Sequence, residues 1–92
     1  MGRREERLFR INDEIAALRR DEYHAREELI MLGHLDDDAQ RDAAVSGQTI
    51  DAADARETAA DVARMEQHLG DIQAALGRLE RKRDRMMAKL GS

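Results

Sequence analysis

The sequence predicts an all-α protein, an antiparallel two-helix coiled-coil hairpin, and three observations predict it. Apolar residues recur at alternating 3–4 spacing through two long stretches, a single credible break separates the stretches, and proline is absent from all 92 residues. Heptads sustained over this length argue for a coiled coil rather than an ordinary surface helix. Two long helices joined by a short loop must fold back on each other, either as a lone hairpin or, through a second face, as a four-helix bundle or on a partner.

The first element runs from about residue 3 to about residue 45. Its seam reads Leu8, Ile11, Ile15, Leu18, Glu22, Ala25, Leu29, Leu32, Asp36, Ala39 and Ala43, without a register slip and with Glu22 and Asp36 as polar exceptions. At 1.5 Å per residue a helix of about 40 residues is roughly 60 Å long. The break follows at about 46–50, Ser46-Gly47-Gln48-Thr49-Ile50. Gly47 can adopt the left-handed conformation that ends a helix, and Thr49 or Asp51 can cap the next one. The second element runs from about 51 to about 90. Its seam reads Ala55, Thr58, Val62, Met65, Leu69, Ile72, Leu76, Leu79, Arg83, Met86 and Leu90. With closure near residue 48, Arg83 falls opposite residues 12–14, which predicts a cross-helix pair with Asp13 or Glu14.

A two-helix seam gives a thin core, so residues off the seam matter. Phe9, Ala16, Tyr23 and Ile30 recur every seven residues on helix 1, with Met31 beside them. That position points roughly 130° from the seam. On helix 2 the corresponding ridge is Ala60, Ala63, Gln67, Gly70, Ala74 and Gly77, mostly small residues. Glycine inside a helix costs about 1 kcal/mol against alanine, so Gly70 and Gly77 imply a neighbour that uses the close approach they allow. The predicted partner or dimer interface is therefore Phe9, Tyr23, Ile30, Met31 and Leu35 with Ala63, Gly70, Ala74 and Gly77. The occupant is a protein partner, a second copy in a homodimer, or both.

Charge is segregated along the chain. Residues 36–61 hold eight acids against Arg41 and Arg56, whereas residues 1–12 and 78–92 together carry a net charge of +6; the overall charge of −4 conceals this. Clustered Arg and Lys could meet phosphates, but no aromatic residue interleaves them and the neighbouring Glu and Asp predict intrahelical pairs. Nucleic acid is therefore disfavoured as a partner. Asp36-Asp37-Asp38 could hold a hard cation, yet consecutive helical residues diverge by 100°, which favours a solvated acidic face. His24, His34 and His68 lack the spacing of a zinc site. Cysteine is absent, and no phosphate loop or nucleophile motif occurs. The chain thus reads as no enzyme, with no metal. No apolar run reaches the ~20 residues of a membrane span, and without export signal or cysteine the expected location is cytoplasmic.

Two resemblances bear on function. Residues 33–44 resemble the acidic hairpin tip of Gre-type transcript-cleavage factors over a dozen residues; there the acids sit in the turn, whereas here the heptad runs through them. Both helices also resemble the RsiG-like anti-sigma factors, coiled-coil hairpins that respond to cyclic di-GMP and carry E-x3-S-x2-R-x3-Q-x3-D. At that spacing helix 1 reads Asp21, Ala25, Glu28, Leu32 and Asp36, and helix 2 reads Glu57, Asp61, Arg64, His68 and Ile72. The resemblance implies a hairpin that grips a sigma factor or another transcription component. It further implies that any ligand would be cyclic di-GMP or an altered relative, held by Glu57, Arg64 and His68. The expected function is a non-enzymatic coiled-coil regulatory protein that binds a protein partner; the alternative is a self-associating structural module without ligand.

Overall fold

The computed structural model describes residues 2–91. Two helices, α1 (Arg3–Ser46) and α2 (Thr49–Leu90), account for nearly all of them and pack on each other as an antiparallel hairpin. At the start of α1, Gly2 N donates to Glu5 Oε2 at 2.9 Å while Glu6 N donates to the Gly2 carbonyl at 3.2 Å. A carboxylate reaching back to the capping residue satisfies a donor that the first helical turn would otherwise leave open.

The connection is tighter than the sequence predicts. Only Gly47 and Gln48 lie between the helices, and Thr49 is already helical. Gly47 has φ 64°, the left-handed region that a side chain disfavours, and its N–H closes the last turn on the Ala43 carbonyl at 3.2 Å. The first α2 bond runs from Ala52 N to the Gln48 carbonyl at 3.1 Å, so Gln48 occupies the capping position expected of Thr49 or Asp51. Asp51 acts from inside the first turn instead. It accepts a hydrogen bond from Ser46 Oγ, which itself accepts from Gln48 N at 3.1 Å. These contacts clasp the last residue of α1 to the first turn of α2, which removes the need for a longer loop.

The chain sorts into two compact units, a terminal unit of Met1–Tyr23 with Gly70–Ser92 and a loop unit of His24–Leu69. In the terminal unit the buried side chains are Ile11, Ile15, Ile72 and Leu76, all seam positions, with Leu8, Leu18, Leu79 and Met86 half-buried around them. Leu90, also read as a seam residue, is 41% exposed at the end of α2, where the first turn of α1 has no apolar seam residue to set against it. Arg83 does not pair with Asp13 or Glu14. Its guanidinium takes the adjacent Asp84 through Nε at 3.2 Å and Nη2 at 3.1 Å. A neighbouring carboxylate satisfies the same charge with less side-chain ordering than a cross-helix reach. A cross-helix ion pair in this unit joins Arg19 to Glu80 at 3.4 Å.

In the loop unit the only buried residues are Ala25 and Ala55; Leu29, Leu32, Val62, Met65 and Leu69 are half-buried along the seam. The polar seam residue Asp36 is accommodated by hydrogen bonding. Its Oδ1 accepts from Thr58 Oγ1 at 2.8 Å and from Gln40 Nε2 at 3.0 Å, and the same amide nitrogen reaches the Ala55 carbonyl at 2.9 Å.

Candidate interaction surfaces

The loop unit carries several large exposed apolar side chains. Ile30, Met31 and Leu35 are 58%, 55% and 52% exposed. Helical geometry sets Met31 and Leu35 one turn apart and Ile30 100° around from Met31; Ile30 and Met31 lie roughly 130° from the seam on either side, and Leu35 flanks it at roughly 90°. Ala63 is exposed on α2 of the same unit. Near the connection Val45 and Ile50 are exposed as well, at 84% and 67%.

An open groove in this unit is lined by Glu28, Leu32, Asp61, Arg64, Met65 and His68. It brings together Arg64 and His68, two of the three residues suggested by the anti-sigma-factor pattern, while Glu57 is not among its lining residues. Arg64 is engaged by Asp61 one turn earlier, and Glu28 faces the groove where that pattern carries an arginine. Three other signature positions serve the hairpin itself: Ala25 and Ile72 are buried, and Asp36 is held by Thr58 and Gln40; Asp21 and Glu57 are exposed. No group of three or more His, Asp or Glu side chains among the described residues could hold a metal ion.

In the terminal unit Phe9 and Tyr23 are half or more exposed, and Gly70 and Ala74 are exposed on α2. A Cβ placed on Gly70 would meet nothing within 4 Å, so no contact inside the hairpin needs that glycine. Gly77 differs. It is half-buried, and Arg81 Nη1 lies 3.2 Å from where its Cβ would stand, so the arginine covers part of the ridge read as open.

The same unit contains a basic groove that sequence spacing alone did not isolate. Two adjoining depressions share Arg7, Lys82 and Met86; Arg10, Ile11 and Glu14 complete one, and Arg4 and Lys89 the other. Intrahelical pairing with Glu5 and Glu6 was the expected fate of these arginines. Instead Glu5 is turned to the helix start, and Arg4, Arg7, Arg10 and Lys82 have no ion-pair partner among the described residues. The signal available in the sequence was the 3–4 spacing of Arg4, Arg7 and Arg10 on one helix and of Arg78, Lys82, Arg85 and Lys89 on the other. What it lacked was the juxtaposition of the two sets.

No protein-family model, curated protein or solved structure matches this chain. No helix among the described residues is long and apolar enough to cross a membrane.

Proposed function

We propose that this chain is a non-catalytic, cytoplasmic regulatory hairpin that binds a protein partner, with a sigma factor or another transcription component as the favoured class. The observation that carries the reading is the outward exposure of Ile30, Met31 and Leu35 on a helix whose seam residues already serve the hairpin. Each such side chain gains roughly 1.5–3 kcal/mol on full burial, and an amphipathic helix commonly gains it in a groove between helices or on another helical face. Methionine suits such a surface because its unbranched side chain adapts to the partner's contour. The choice of transcription partner rests on the spacing shared with RsiG-like hairpins, of which Glu57 and Arg64 are retained on α2.

The test uses purified sigma factors, free and bound to core RNA polymerase, in equilibrium binding against the wild-type chain and an Ile30→Glu/Met31→Glu variant. The expected result is binding of at least one sigma factor with a Kd of about 1 μM or tighter. The variant should bind at least tenfold more weakly while its helical circular dichroism is unchanged. Absence of sigma-factor binding, or undiminished binding by the variant, overturns the reading.

A further inference from the structure

We propose that the basic groove of the terminal unit is a docking site for the acidic loop unit of a second copy of this chain. The groove presents Arg4, Arg7, Arg10 and Lys82 without ion-pair partners among the described residues. The loop unit presents the complement. Asp38, Asp51 and Asp61 are engaged by Arg41, Ser46 and Arg64, but Asp37, Asp42, Asp54 and Glu57 are exposed with no ion-pair partner among the described residues. Glu14 also lines the groove and Arg56 is exposed on the loop unit, but the unmatched charge is predominantly basic on the first surface and acidic on the second.

Each charged patch also has apolar residues beside it. Val45 and Ile50 stand exposed close in sequence to Asp42 and Asp54, while Met86 lines the basic groove and Met87 is exposed next to it in the chain. An apolar centre with a charged rim is the usual anatomy of a protein–protein contact, and complementary potentials set its orientation and speed its formation. A protein occupant fits this groove better than nucleic acid does. No aromatic side chain lines it to stack on bases, and the chain's net charge of −4 opposes the approach of a polyanion. Of the assemblies that such a contact can build, a two-fold pair makes it twice and leaves neither patch open, and that dimer is the expected product. The contact is separate from Ile30 and Met31, so its success or failure leaves the sigma-factor reading to its own test.

The experiment is sedimentation equilibrium of the wild-type chain and two charge-reversal variants, Arg7→Glu/Lys82→Glu and Asp54→Lys/Glu57→Lys, at low and high salt. Circular dichroism checks that each remains helical, and the neutral pair Arg7→Gln/Lys82→Gln replaces the first variant if it does not. The wild type should be a dimer whose dissociation constant rises on going from about 50 mM to about 500 mM NaCl, as screening shortens the reach of exposed charges. Each variant alone should dimerise at least tenfold more weakly, and mixing the two reversal variants should restore a dimer containing one of each. A wild-type monomer at low salt, a dimer indifferent to both variants, or no recovery on mixing overturns the proposal. So does binding of a 20-base-pair DNA duplex that the Arg7→Glu/Lys82→Glu variant loses while its mass equals that of the wild type.

Discussion

Thr58 donates its hydroxyl to Asp36 Oδ1 at 2.8 Å, joining α2 to α1 at a seam position where a coiled coil ordinarily places two apolar side chains. Gln40 completes the arrangement by bridging the same carboxylate oxygen and the Ala55 carbonyl. A polar group at one seam position specifies register at some expense of stability. In a unit whose buried seam residues, Ala25 and Ala55, are small and alike, such a device distinguishes one alignment from a slipped one.

Replacing Thr58 with Val should therefore lower stability by about 1 kcal/mol, the net worth of a hydrogen bond to a partly exposed carboxylate. Asp36→Leu should be neutral or stabilising, since apolar packing commonly equals or exceeds a seam polar contact, but it should broaden the amide resonances of residues 36–58 as alternative registers become populated. Urea unfolding and a nitrogen–proton correlation spectrum measure the two effects. A Thr58→Val change below about 0.3 kcal/mol would assign the hydroxyl no role.

Arg83 occupies a seam position yet pairs only with its neighbour Asp84, and its side chain is 26% exposed. Exchanging it for leucine should leave stability equal or raise it, because exposed ion pairs contribute about 0–1 kcal/mol and leucine would extend the seam toward Met86. Thermal unfolding decides this. A loss above about 2 kcal/mol would mean that the guanidinium is buried and paired in solution.

Gly47→Ala should destabilise the hairpin by roughly 1–2 kcal/mol, the strain of placing a side chain in the left-handed region. Gly47→Asn should cost less, since asparagine tolerates that conformation. Chemical denaturation of both variants provides the comparison, and equal stability of Gly47→Ala and wild type would show that the connection is free to change its dihedral angles.

Gly70→Ala should have the opposite sign. Nothing lies within 4 Å of the added Cβ, so the helix propensity gain of about 1 kcal/mol should appear undiminished. Gly77→Ala should gain less, because Arg81 must first move aside. Melting temperatures of dilute samples measure both. A Gly70→Ala variant less stable than the wild type in concentrated samples but not in dilute ones would reveal a second molecule packed on that glycine.

Much of the hairpin follows from the order of residues alone. The 3–4 recurrence from Leu8 to Ala43 and from Ala55 to Met86 identifies the side chains that lose water, because only that spacing keeps them on one helical face. Gly47 marks the reversal for an equally local reason, the absence of a Cβ. The exposed apolar residues Phe9, Tyr23, Ile30 and Met31 are legible too, since a residue near the back of a seam cannot turn inward. Which charges neutralise one another is not. Arg83 had candidate partners on either helix, and the choice of Asp84 depended on side-chain reach and exposure. Glu5 could have met an arginine but was drawn to the open N–H at the start of α1. The Asp36–Thr58 bond and the basic groove each combine residues from both helices, far apart in sequence. Spacing determines the face on which a side chain lies, while its partner is decided only when a second surface arrives with its own geometry and its own competing donors and acceptors.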